Sequence, residues 1–145
     1  MISLYTDGAC RGNPGIGSYA YALYKNKVLI KEGGSVSKMT TNNIMELSAI
    51  YYGLLECSYT DSIQVFSDSK YAISGITQWR FKWRSSHWLK SDKTPVLNLD
   101  LWKKLDSLVD QFTHLTFHWV KGHALDPHNN YVDSLANKLL DEKIL

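Results

Sequence analysis

Residues Thr6–Gly15 read TDGACRGNPG, and the fold turns on how that stretch is read. It overlaps the end of a short alternating run, ISLYTD, that has the period of a β-strand. An Asp-Gly pair in that place is a hairpin signal, because glycine reaches the positive φ angles that tight turns need. On this reading Asp7 ends the first strand and the chain doubles back into SYAYALY, Ser18–Tyr24. The same stretch also reads as a site, with an acid at a strand end and glycines clearing space for a backbone or ligand.

Working outward, SYAYALY and KVLIKEGGSVS join through a short KNK connection, which predicts an antiparallel meander of three strands. From Asn42 the period changes. Ile44, Leu47, Tyr51, Leu54 and Leu55 recur at helical spacing, with Thr40, Thr41, Asn42 and Asn43 as candidate caps. SIQVFSD reads as a fourth strand and SKYAISGI as a short helix. Leu101, Trp102, Leu105, Leu108, Val109 and Phe112 form an apolar helical stripe. HLTFHWV reads as a strand, KGHALDPHNN as a loop, and Val132, Leu135, Ala136, Leu139 and Leu140 as a last helix. The expected fold is α/β: a five-stranded mixed sheet, three antiparallel strands followed by parallel ones, with helices on both faces.

The 145 residues are 44% hydrophobic and 21% charged, the composition of one ordinary globular domain spanning 1–145. No apolar run reaches membrane-span length, and the first twenty residues lack a signal pattern, so no membrane partner is expected. Cys10 and Cys57 are isolated, without metal spacing or a disulfide framework, and point to a reducing, cytoplasmic setting. The net charge is only +2. Yet the segment around 77–95 holds Arg80, Lys82, Arg84, Lys90 and Lys93 against Asp92 alone. A basic patch on a slightly acidic body suggests a polyanion touching one region.

Four acids fall where they could converge. If the first and fourth strands pair in parallel, Asp7 and Asp68 share one sheet edge, beyond the strand C-termini where α/β sheets bind ligands. Glu46 is expected in the first turn of the first long helix, and Asp133 one turn after Asn129 in the last helix. Such acids raise one another's pKa unless a cation joins them, and oxygen donors without sulfur suit Mg²⁺ or Mn²⁺. Each also has a plain structural reading. Asp7 could sit in a turn, Glu46 could close a capping box with Asn43, Asp68 could cap a helix, and Asp133 could be a solvated helical acid.

TDGACRGNPG together with TTNNIMEL, SDSKYAISGITQW, DLWKKLDSL and WVKGHALDPHNNYVDSLA resembles bacterial type 1 ribonuclease H, in block order and separation, over essentially the whole chain. The resemblance implies the ribonuclease H fold, with the first strand central and beside the fourth. It implies hydrolysis of the RNA strand of RNA–DNA hybrids by a monomer, and two Mg²⁺ ions with Mn²⁺ as a substitute. Asp7 would bridge both ions, Glu46 and Asp68 would complete one side and Asp133 the other. His123 would be the proton-handling histidine and Asn129 its polar neighbour. Two ions can activate the water, neutralise the phosphate and stabilise the leaving oxygen, so no serine or cysteine nucleophile is required.

The resemblance also implies substrate contacts. Gly8, Cys10 and Asn13 would let the RNA sugar edge approach across a shallow minor groove, with Asn43 beside them. Thr41 and Asn42 would hold a DNA-strand phosphate at a helix N-terminus. The basic segment would be a handle whose Trp79, Lys82, Trp83 and Arg84 face the DNA strand. The chain departs from the family pattern at Ser85, Ser86 and His87, where more basic residues are usual. It departs again at Lys70, which stands where a glutamine makes a base or sugar contact, and at His128, a position often acidic. A free-standing chain is the expectation from its Met1 start and final helix.

Overall fold

The computed structural model describes residues 1–122 and 126–144. Strands β1 (Ile2–Arg11), β2 (Gly15–Lys25) and β3 (Val28–Thr40) form an antiparallel meander. Helix α1 (Asn42–Leu55) leads to β4 (Ser62–Ser67), which pairs in parallel with β1. Helix α2 (Lys70–Ser74) runs through one π-helical turn, Gly75–Trp79, into α3 (Arg80–Ser85). Helix α4 (Leu99–Gln111), strand β5 (His114–Trp119), parallel to β4, and helix α5 (Pro127–Ile144) complete the chain. The sheet order is β3-β2-β1-β4-β5, the mixed five-stranded arrangement expected, with β1 at its centre.

Two boundaries differ from expectation. The Asp-Gly pair makes no turn: β1 continues to Arg11, with Asp7 opposite Ala20 and Gly8 opposite Tyr19. A Cβ on Gly8 would lie 2.7 Å from the backbone of Met45 and Glu46, so the glycine admits α1 rather than bending the strand. The turn comes later, at Gly12–Pro14, where Gly12 has φ +83 and the Asn13–Pro14 bond is cis. The second difference is at α5. It begins at Pro127, inside the predicted loop, because Asp126 caps it: Asp126 Oδ1 accepts from His128 N at 3.0 Å and Asn129 N at 3.3 Å. An acid cap with proline at the first helical position is a favoured start.

Strand alternation divides two cores. Leu4 of β1 and Val65 of β4 face α1 and α4, packing with Leu47, Ile50, Trp102 and Leu105. Tyr5, Ala22 and Tyr24 face α5 and pack with Val132. His128 joins that side, its ring 3.9 Å from Tyr24 and 5.2 Å from Tyr5 between centroids, which accounts for an imidazole at an often acidic position. Among the described residues no helix is long and apolar enough to cross a membrane.

The basic segment is partly neutralised by the body. Arg80, only 7% exposed, donates from Nη1 to Asp106 Oδ1 at 2.9 Å and Asp110 Oδ1 at 2.8 Å. Arg84 binds the same two acids of α4, with Nη2 2.8 Å from Asp110 Oδ2. Arg84, its side chain still 44% exposed, thereby clamps α3 to α4. Lys82, Lys90 and Lys93 remain exposed and supply the patch. Trp83 and Trp88 pack on the core cluster, whereas Trp79 is 39% exposed.

Removing one member of a buried ion network leaves its partner's charge desolvated. Asp106→Ala should therefore lower unfolding free energy by about 3 kcal/mol. Lys82→Ala, exposed on α3, should stay within about 0.5 kcal/mol. Urea denaturation of the two variants checks the contrast.

Candidate metal centre

The site forms where β1 outruns β4. Their parallel register ends at Tyr5 opposite Phe66, and two residues further along each chain stand Asp7 and Asp68. Asp7 is 3% exposed and lies within β1, so its position is held by the ladder to β2 rather than by a turn. Glu46 is the fifth residue of α1, one turn deeper than expected, and is 5% exposed. It closes no capping box. Thr41 caps the helix, its Oγ1 accepting from Ile44 N at 3.2 Å. Glu46 instead reaches β1, where Gly8 N donates to Glu46 Oε1 at 2.7 Å and to Asp7 Oδ1 at 2.9 Å. Ligand oxygens of Asp7, Glu46 and Asp68 all lie within 4.8 Å of one another.

Asp68 follows β4, and the helix cap beside it is Ser69, whose Oγ accepts from Ala72 N at 3.1 Å. The backbone carbonyl of Asp68 accepts the indole N–H of Trp119 at 3.0 Å. Gly122 crosses so close that a Cβ there would sit 2.9 Å from Asp68 Oδ2. Asp133, half-buried on α5, stands outside the three-membered set but acts electrostatically on Asp7 and Glu46. Asn137 Nδ2 donates to the Asp133 carbonyl at 2.9 Å. Asn129 is 1% exposed, and its Oδ1 has no hydrogen-bond partner among the described residues. His123 lies outside the described residues.

Burial holds the Asp7 carboxyl far above the usual carboxylate range, and the neighbouring Glu46 and Asp68 charges push it further. Glu46 is also raised, chiefly by burial, although its hydrogen bonds with Asp7 and Gly8 oppose the shift. Among the described residues Glu46 Oε2 is buried without a partner. An all-oxygen donor set, crowded like charges and an orphaned carboxylate oxygen fit a hard divalent cation.

Other expected contacts flank this cluster. Cys10 Sγ donates to the Gly12 carbonyl, and Asn13 Oδ1 accepts from Asn42 N at 2.9 Å, tying the β1–β2 loop to the start of α1. The amides of Asn42 and Ile44 are thus engaged within the chain. Asn43 is half-buried beside them. Lys82, Trp83, His87, Lys90 and Lys93 line a separate cleft of about 610 Å³. Lys70 is exposed and stacks on Trp119. Sequence reasoning passed over Trp119. Strand period 2 puts it on the inward side with Leu115 and Phe117, yet it is 44% exposed at the strand's end.

Groups whose pKa is raised on folding bind more protons folded than unfolded. Stability then falls as pH rises from the unfolded carboxylate pKa towards the folded one. Without divalent ions, Asp7→Asn should accordingly melt higher than the wild type at neutral pH, by the equivalent of about 1 kcal/mol or more. The gap should close towards about pH 4. Thermal melts in chelator across pH check the sign.

The RNase H family profile matches residues 1–140. The ribonuclease H of Ruthia magnifica subsp. Calyptogena magnifica is 44% identical, over 97% of this chain and 96% of its own. That of Methylobacillus flagellatus is 43% identical, over 98% of this chain and 93% of its own. Among solved structures, RNase H1 of the halophilic archaeon Halobacterium salinarum superposes with a TM-score of 0.75 at 25% identity, covering 97% of this chain and 98% of the other. LC11-RNase H1, solved in complex with an RNA/DNA hybrid, shares the fold with a TM-score of 0.75 at 21% identity and full coverage of both chains. With a family match along almost its whole length and relatives above two-fifths identity, the chain belongs to the ribonuclease H family.

Proposed function

We propose that the protein is an endoribonuclease that hydrolyses the RNA strand of RNA–DNA hybrids. In this reading two divalent ions, Mg²⁺ with Mn²⁺ as a substitute, are held by Asp7, Glu46, Asp68 and Asp133. The observation that carries it is the convergence of Asp7, Glu46 and Asp68, the first two buried and joined through the Gly8 N–H. A solvated acid, a turn and a capping box do not require three carboxylates within 4.8 Å. Relatives named ribonuclease H at 43–44% identity favour that activity over other nuclease reactions on the same fold.

Divalent ions in such a site neutralise phosphate charge and make a water acidic enough to attack. The protein's own groups hold and orient. The Gly8 N–H fixes Asp7 and Glu46 relative to one another, and the β1–β4 register sets Asp68 beside them. Gly8, Cys10, Asn13 and Asn43 offer a low-relief surface for the RNA sugar edge, where the 2′-hydroxyl distinguishes a hybrid from DNA. Thr41 and Asn42 are assigned to a DNA-strand phosphate. Trp79, Lys82, Trp83 and the exposed part of Arg84 present charge and rings to the same strand. His123 moves protons at the attacking or leaving side, with Asn129 as its neighbour. The chain acts as a monomer in this reading.

Matched RNA–DNA, RNA–RNA and DNA–DNA duplexes, end-labelled on each strand, test the proposal. Internal cuts should appear only in the RNA of the hybrid and only with Mg²⁺ or Mn²⁺. Asp7→Asn and Asp68→Asn should each lower kcat by about a thousandfold or more while the proteins stay folded. Full activity in either variant, or binding of hybrid without cutting by the wild type, rejects the mechanism.

A further inference from the structure

Lys70 and Trp119 form a pair beside the carboxylates that the chemistry above does not account for. Lys70 Nζ sits 4.8 Å from the centroid of the Trp119 ring, within the range of cation–π attraction. Trp119 ends β5 and is 44% exposed, and its indole N–H is fastened to the carbonyl of Asp68 at 3.0 Å. The ring that holds the lysine is therefore attached to a residue that also supplies one of the clustered acids.

Helix stability does not explain a lysine there. Lys70 opens α2, where the helix dipole disfavours a cation, and Ser69 already caps that end. An ammonium is a compact point charge with three rotatable donors. Those properties suit a phosphate oxygen better than the flat edge of a base, which the glutamine usual at this position would address.

We propose that Lys70, held by Trp119, contacts a phosphate of the strand being cut, next to the scissile phosphodiester. The proposal rests on the hybrid-cleaving reading above. The link from Trp119 to Asp68 assigns the contact to the cut strand, because that strand has to meet the acids at the same place. Trp119 is a positioning residue: it touches the lysine, and through it sets where the charge stands. The contact adds affinity without reading sequence, complementing a basic segment in which Arg80 and Arg84 are ion-paired to Asp106 and Asp110.

Steady-state cleavage of one labelled hybrid with Mg²⁺, over a series of salt concentrations, tests the contact. Lys70→Gln should raise KM more than it changes kcat. It should make the slope of log(kcat/KM) against log salt shallower by about 0.7–0.9, the signature of one lost phosphate contact. The wild-type advantage then shrinks about threefold between about 50 and about 200 mM salt. Lys70→Arg should restore the wild-type slope, and the positions of the cuts should be the same in all three proteins. Trp119→Leu should weaken the salt slope as Lys70→Gln does, and Trp119→Phe, which keeps a ring, should do so less. An unchanged slope in Lys70→Gln overturns the contact while leaving the hybrid-cleaving reading intact. Displaced cut positions overturn it in favour of a base-edge contact. A wild type that does not cut hybrid overturns the functional reading and this contact with it.

Discussion

Strand β1 and helix α1 meet at Gly8 with no room for a side chain between them, and the site depends on that approach. A single peptide N–H, that of Gly8, binds carboxylate oxygens from two elements whose acids are far apart in sequence. It sets the separation of Asp7 and Glu46 more tightly than side-chain packing alone, because donors to charged oxygens are short and directional. A Cβ at residue 8 would push α1 away, and Glu46 with it.

Sheet topology does the rest of the placement. The sheet changes from antiparallel to parallel at β1, and the three parallel strands present their carboxyl ends on one side. Those ends carry Asp7, Asp68 and Trp119, while α5 brings Asp133 against the same edge. This is the crevice in which open α/β sheets bind ligands. Burying several carboxylates there opposes folding in the absence of cations, since desolvation and mutual repulsion both disfavour the ionised forms. The two apolar cores on either face of the sheet hold the arrangement together against that cost.

The basic segment shows how net charge in a sequence overstates what a surface offers. Two of its five cations face Asp106 and Asp110 and act as fasteners between helices. Three lysines remain toward water around the cleft that includes Trp83. Nucleic-acid affinity then depends on fewer, more mobile charges than composition suggests, and lysine donors are point charges rather than bidentate forks.

The sequence by itself determined the order and type of nearly every element, because hydrophobic periods of 2 and 3.6 are local properties of the chain. The alternation in Ile2–Asp7 and the stripe from Ile44 to Leu55 were legible for that reason. Motif order also pointed to Asp7, Glu46, Asp68 and Asp133 before any contact was visible. Three things lay beyond local pattern. Gly8 looked like a turn residue, since a glycine that bends a strand and one that admits a helix are written with the same letter. Arg84 looked like a free cation, and Trp119 drew no notice within its strand. Only the tertiary structure decided which donors and charges were already engaged, because hydrogen bonds and ion pairs between distant residues are set by interatomic distances that sequence spacing does not carry.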